Sequence, residues 1–395
     1  MNSHRHWITA TAFLATVGPA SLGAAASPSL QYRYISLDAT VPAGCQFFDP
    51  KAIDQAGRAY GGTACGGEPF IIRYENGTST VLSKGFAWSG NHRGVVGGAV
   101  IDAQGTFQAA LFSGGGTQLV RRQPDEVSSL VVDVSDNGIA LVLSARATAG
   151  DPVTVYYLYR SGEARVLSHG QDDLNAQAVS DVGTVAGIVN GGKAFRLNPK
   201  SGAFNILEPL PTEPNSWGLG IHDNGDVLGY SFVFGGLERI GVWHGSQFDT
   251  YFVEGTPEYP TVSDRLLWSD RNMIVITNIF SPPEDFGGFV IPRPGTRVAI
   301  ADLVPGLHTW TQIFDLNNQG DLVGWGGPGR FQIAESFLLQ RVLGVDATAG
   351  AAPARAASIE KASAAVHTPA ERRAITADRA GMFEAILGQS KADMR

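Results

Sequence analysis

The sequence predicts an all-β protein, a seven-bladed β-propeller of four-stranded blades. Three observations predict it: a phrase that recurs about every 44 residues, a pair of short strands after each recurrence, and a strand-like N-terminal segment that the last recurrence needs to be complete.

The phrase is an apolar residue, a small polar residue, two turn residues and Gly, then an apolar strand that often ends in Gly. Its clearest copies are Ile221-His222-Asp223-Asn224-Gly225-Asp226-Val227-Leu228-Gly229 and Leu316-Asn317-Asn318-Gln319-Gly320-Asp321-Leu322-Val323-Gly324. Others centre on Gly57, Gly94, Gly138 and Gly183, and a sixth puts Asn272 in the glycine's place. Asn is the residue next most tolerant of a positive φ, so the substitution keeps the turn. Successive anchors lie 37, 44, 45, 42, 47 and 48 residues apart.

About twenty residues after each anchor come two further apolar strands around a Gly or Pro turn, as in Phe70–Tyr74 with Ser79–Leu82 and Ala194–Leu197 with Phe204–Leu207. Four strands in such a unit make one blade, whose two apolar faces are covered only by neighbouring blades. The seventh copy supplies Ser336–Gln340 as its third strand and no fourth. Tyr32–Asp38 has no anchor before it and reads like the fourth strands elsewhere, such as Arg297–Leu303, so it is expected to complete the last blade and leave no free edge at the seam.

These repeats resemble the bacterial His-Ala-Phe extracellular repeat family, in which a phrase like Ile-Asn-Asp-x-Gly-x-Val-Val-Gly precedes an Ala-Phe-Leu strand. The resemblance spans residues 45–340 and is best at Ile221–Gly229 and Ala194–Leu197. Lys193 stands where the family has its His, and the seventh copy reads Glu335-Ser336-Phe337. The resemblance implies export and a repeated β architecture more than any activity.

Composition agrees with this architecture. Hydrophobic residues make up 44% and charged residues 17% of 395, enough apolar surface for a large core, while 49 Gly and 21 Pro favour strands and tight turns over long helices. The net charge of −8 is spread along the chain without a Lys/Arg stripe, which argues against nucleic acid as a ligand. Residues 1–26 order a weakly basic start, a short apolar run and Ala24-Ala25-Ala26, the pattern of a secretory signal peptide cleaved near Ala26. The remaining apolar runs are too short for a membrane span. The two cysteines, Cys45 and Cys65, are expected to form a disulfide in an exported chain. Beyond a propeller at 30–343, residues 344–367 read as a flexible Ala-rich linker, and 368–395 as a short amphipathic helix opened by Thr368-Pro369-Ala370-Glu371.

Strands alternate in direction, so the loops between blades emerge on one face, and binding sites of closed β-rings gather where loops converge. On that face lie His169, Asp172, Asp173, Asn175, Glu213, Asn215, Trp217, Glu258, Tyr259, His308, Trp310 and Gln312. Aromatic rings and hydrogen-bonding side chains of this kind suit a glycan or a protein ligand. Trp217 and Trp310 also suit packing between blades. His169, His308 and Tyr259 are the candidates for acid–base catalysis if the ring brings them together. The Asp/Asn-rich anchors lack the alternating oxygens and closing Glu of a calcium loop and read as turn chemistry, with His222 as a turn-capping residue and His92 and His244 beside turns. No metal site and no cofactor are expected. A nucleophile elbow, a zincin helix and a phosphate loop are all missing from the sequence.

The expectation is therefore an exported, monomeric propeller that binds a ligand or partner without catalysis. A polysaccharide lyase or hydrolase, and a surface-assembly protein docking through its tail, are the alternatives.

Overall fold

A computed structural model describes residues 30–342, apart from 148–152, 168–173, 191, 234–237, 255–262, 270–272, 279–286, 304–309 and 328–334. The signal segment, linker and tail helix expected from the sequence lie outside the described residues.

Seven four-stranded antiparallel sheets form the molecule. Six run consecutively along the chain, over 49–84, 86–119, 126–166, 174–207, 215–254 and 263–299. The seventh joins Trp310–Leu316, Leu322–Gly327 and Glu335–Arg341 to the N-terminal strand Tyr32–Ser36, which pairs with the third of them from Tyr32 opposite Arg341 to Ser36 opposite Phe337. The ring thus closes as the sequence predicts. The first strands are Asp49–Ile53, Phe86–Gly90, Glu126–Val134, Leu174–Val179, Asn215–Ile221, Ser263–Trp268 and Trp310–Leu316, and each touches the next around the whole ring. They are the inner wall of the central channel.

Every anchor is the hairpin between a first and a second strand. Its cap residue donates its backbone N–H to the residue four further on, from Asp54 to Arg58 through to Asn317 to Asp321. Gly57 at φ 75° and Gly225 at φ 87° show why the fourth position requires glycine. The glycine that ends the phrase has a different reason. A Cβ on Gly229 would lie 1.8 Å from the Trp217 carbonyl oxygen, and one on Gly61 2.1 Å from that of Asp49. The inner strand bulges here in all seven blades, and in six the extra residue occupies one repeat position: Lys51, Trp88, Val132, Gln177, Leu219 and Phe314. A bulge bends its strand, and in five blades a bare glycine opposite accommodates it, while blades three and six carry Val142 and Ile276 at that repeat position.

Blades interlock through small polar residues nine positions before the anchor. Ser129, Ser216 and Thr311 accept hydrogen bonds from Ala109, Ala194 and Gly288 of the preceding blade's third strand, at 2.9–3.0 Å. The residue before the core Phe195 and Phe337 is therefore small (Ala194, Ser336), because the next blade approaches closely there. At the seam Asp38 accepts from Phe48 at 2.8 Å and from Ser336 at 3.1 Å, and Lys51 Nζ sits 4.2 Å from the Phe314 ring centroid.

One expected strand is shorter than the sequence suggested. Of Arg297–Leu303 only Arg297–Ala299 is strand, within Thr296–Ala299, and Ile300–Leu303 is a helical turn. It folds fully buried Ile300 over Gly288, where a Cβ would meet the Ile300 side chain at 2.6 Å. Burying Ile300 outweighs continuing an outer edge strand. Cys45 and Cys65 are disulfide-bonded, as expected. No described helix is long and apolar enough to cross a membrane.

Candidate site at the channel mouth

The seven anchor hairpins converge where the inner strands end. Most cap residues serve their own hairpin: Asp54 Oδ1 accepts from Ala56 and Arg58, Asn91 Oδ1 from Arg93 and Val95, and Asn317 Oδ1 from Gln319 and Asp321, all at 2.9–3.0 Å. The next residue along links hairpin to hairpin at Gln55, His92, Asp136, Asp181 and Asp223. Asp136 Oδ1 accepts from His92 N at 2.8 Å, Asp181 Oδ1 from Asn137 N at 2.7 Å, and Asp223 Oδ1 from Asp181 N at 2.7 Å. Deeper along the inner strands Asp133 accepts from Val179 N and Asp315 from Ile53 N, both at 2.8 Å. These carboxylates satisfy edge N–H groups that the innermost strand of a blade would otherwise leave unpaired.

Inside this ring lies a cavity of about 470 Å³, within the size range of ligand sites. Its walls come from blades two to seven. Asp136, Asp181 and Asp223 supply carboxylates, Leu219 and Leu266 apolar surface, and His222 and Trp268 a flat aromatic wall.

His92 is held at both nitrogens. Nδ1 lies 3.3 Å from Asp136 Oδ2 of blade three, and Nε2 lies 3.2 Å from the Leu316 carbonyl oxygen of blade seven. Burial works against the charged ring, but the Asp136 hydrogen bond, the charges of Asp315 and Asp136 and the Leu316 carbonyl outweigh it and push the pKa up to about 9. Asp136 is held below the usual carboxylate range: burial opposes this, and the hydrogen bond and charge of His92 prevail. At neutral pH the pair is ionised, and His92 acts as a doubly donating clip between three blades.

His222 closes its hairpin like the other caps, its N–H bonded to the Asp226 carbonyl at 3.0 Å, and it has a second contact as well. It occupies the cap position, yet its ring stacks on Trp268, with centroids 3.5 Å apart and planes 17° from parallel, while Asn224 Oδ1 takes the Asp226 N–H. Trp268 departs from the repeat as well, since Ile53, Val134, Val179, Ile221 and Leu316 hold its position in five other blades. Two adjacent blades thus each break the phrase, and the two irregular residues meet at the cavity wall. That coincidence was available in the sequence as a signal: the copies that break a repeat without a turn requirement.

The residues singled out from the sequence lie at the opposite ends of the inner strands or beyond the described part. His169, Asp172, Asp173, Glu258, Tyr259 and His308 lie outside the described residues, and Trp310 is described in its backbone alone. Glu213 is buried, with Arg239 Nε 2.5 Å from its Oε1. Trp217 packs on Phe232 at 5.1 Å between centroids and on Tyr230 at 6.4 Å, a packing role. Asn175 accepts from Tyr156 at 3.0 Å and Gln177 at 2.6 Å. Asn215 opens the fifth inner strand and half-buried Gln312 lies within the seventh. None of Asn175, Glu213, Asn215, Trp217 or Gln312 lines the channel-mouth cavity. Among the described residues no group of three or more His, Cys, Asp or Glu is placed to hold a metal ion.

No family model matches the chain, and no curated protein does. Solved structures share its fold. An oligogalacturonate lyase in complex with manganese has a TM-score of 0.52 at 11% identity, over 79% of this chain and 96% of that one. The acylaminoacyl peptidase of Pyrococcus horikoshii has 0.50 at 10%, over 78% and 54%. YCF48 bound to a D1 peptide has 0.47 at 12%, over 82% and 97%. At these identities the likeness to the lyase and the peptidase shows the propeller and nothing of the chemistry, since one fold hosts unrelated functions.

Proposed function

We propose that the chain is an exported propeller that binds a ligand or partner at its channel mouth and does not transform it. The observation that carries this reading is the stacked pair His222–Trp268, two departures from the repeat that meet on the wall of a ligand-sized cavity. Flat aromatic faces and carboxylates presented by a rigid ring suit recognition, because little has to be ordered on binding. His92 is itself no candidate for a general base. A general base needs a free nitrogen lone pair at its working pH, and His92 holds a proton on each nitrogen, directed to Asp136 and to Leu316. Export is supported by the Cys45–Cys65 disulfide, which persists in oxidising compartments.

The test is a thermal-shift and calorimetric panel of peptides and soluble oligosaccharides on the mature protein, with mass analysis of every probe after incubation. A probe that binds, is recovered intact and loses affinity in His222→Ser supports the reading. A probe recovered shortened overturns it in favour of an enzyme, and binding insensitive to His222→Ser places the site elsewhere.

A further inference from the structure

We propose that the channel mouth takes a guanidinium group, the side chain of an arginine carried by a partner protein or peptide. The proposal rests on reading the channel mouth as the binding site, and adds the class of ligand.

Shape is the first argument. The His222 and Trp268 rings stack 3.5 Å apart and 17° from parallel, and both residues line the cavity, while Trp268 also packs on the core of blades five and six. A planar cation stacks on such a face, and guanidinium does so better than a compact, strongly hydrated ammonium. The neighbouring Leu219 and Leu266 offer apolar surface to the methylene stem of an arginine.

Charge is the second, independent argument. Asp136, Asp181 and Asp223 stand on three consecutive hairpins, and each has its Oδ1 fixed by a backbone N–H of a neighbouring hairpin. Asp136 gives its other oxygen to His92. For Asp181 and Asp223, Oδ2 has no hydrogen-bonding partner among the described residues, and both residues line the cavity. The His92 charge is matched by Asp136, so Asp133, Asp181, Asp223 and Asp315 leave the described lining anionic. An anionic glycan or phosphate would be repelled. A neutral sugar would stack and donate hydroxyl hydrogens to the carboxylates without neutralising them, whereas a guanidinium brings a matching charge as well as donors for both Asp181 and Asp223.

The experiment is isothermal titration of the full mature chain with tetraarginine, tetralysine, tetraglutamate and a neutral cello-oligosaccharide, at low and high salt. Tetraarginine should bind at least about tenfold more tightly than tetralysine, because stacking adds to the charge attraction. Asp181→Asn with Asp223→Asn should weaken tetraarginine by about tenfold or more. His222→Ser installs the residue that Ser135 and Ser180 already provide at this repeat position. It should bring tetraarginine down toward tetralysine, with the fold checked by circular dichroism. Equal affinity for the two cationic peptides, or indifference to these substitutions, overturns the guanidinium site. Oligosaccharide or tetraglutamate binding that is lost in His222→Ser, without tetraarginine binding, overturns the ligand class and leaves the channel-mouth reading standing. Silence from all four probes in the wild type overturns the guanidinium site, and the broader panel above then decides the channel-mouth reading separately.

Discussion

His92 of the second blade and Leu316 of the seventh are joined across the first blade, imidazole Nε2 to carbonyl oxygen at 3.2 Å. With Nδ1 on Asp136 of the third blade, one side chain ties together the part of the ring that contains the seam. In a ring closed by a single N-terminal strand, contacts that skip a blade oppose opening at that joint.

The clip has a defined pH window. The pKa of His92 rises from 6.5 to about 9 on folding, so its contribution is complete below about pH 6.5 and is lost as pH rises through 9. Asp136 is shifted downward, so its contribution is present above the ordinary carboxylate value of 3.8 and is lost on acidification below it. His92→Gln, which installs the residue found at the same position in the first blade, should destabilise by about 1–2 kcal/mol at pH 6. Urea unfolding of both proteins at pH 6 and pH 10 should show this gap closing at the higher pH. A gap of the same size at both would mean that the charge of His92 does not stabilise the ring.

Much of this architecture was legible because a propeller repeats its turn chemistry. Gly57, Gly138 and Gly225 need positive φ wherever a first strand turns into a second, and that demand survives in sequence even when core residues drift. The closing strand was legible as a surplus at Tyr32–Ser36 matched to a deficit after Arg341. Two features were not. The fourth strand of blade six stops at Ala299 because a tertiary contact, Ile300 over Gly288, outweighs local strand propensity. The sequence points to the loops between blades because loops carry most binding residues, while Asp/Asn-rich hairpin caps read as turn chemistry alone. His222 and Trp268 are 46 residues apart, and only the ring places them face to face.

Where the phrase ends in glycine, as at Gly229, that position should be intolerant of any side chain. At Gly229 a Cβ would have to displace the Trp217 carbonyl at 1.8 Å and the Trp243 ring at 2.9 Å, and the first is backbone that cannot swing aside. Gly229→Ala should cost about 2–3 kcal/mol or more by overpacking. Gly138→Ala meets no atom within 4 Å and suffers only the strain of φ 74°, about 1 kcal/mol. Chemical unfolding that ranked the two in reverse would contradict the close approach at the bulge.

The disulfide closes a chain segment of 20 residues at the start of the first blade. Cross-linking a loop of this length restricts the unfolded chain by about 3 kcal/mol in the entropic model. The double variant Cys45→Ser, Cys65→Ser should therefore lower the urea midpoint, and a reducing agent should do the same to the wild type while leaving the variant unchanged. If reduction shifted both equally, the loss would lie elsewhere than this bond.

The seam offers the most specific stability test. Asp315 Oδ2 accepts the Ile53 N–H of the first blade at 2.8 Å, while Oδ1 accepts its neighbour Leu316 at 2.9 Å. Asp133 makes the equivalent inter-blade bond to Val179 at 2.8 Å, away from the seam. Removing either carboxylate leaves a buried strand-edge N–H without its acceptor, about 1–3 kcal/mol. Between blades three and four the chain is continuous, so opening there is opposed by the backbone itself. Between blades seven and one the joint is held by the paired strand Tyr32–Ser36 and by contacts such as those of Asp38 and Asp315. Asp315→Ala should therefore raise amide exchange selectively in Tyr32–Ser36 and Asp49–Ile53, whereas Asp133→Ala should destabilise the whole ring without singling out those strands. Asp315→Asn, which keeps one carbonyl acceptor, should fall between wild type and Asp315→Ala. Exchange that rises equally throughout the ring in both alanine variants would mean that the seam is no weaker than any other blade interface.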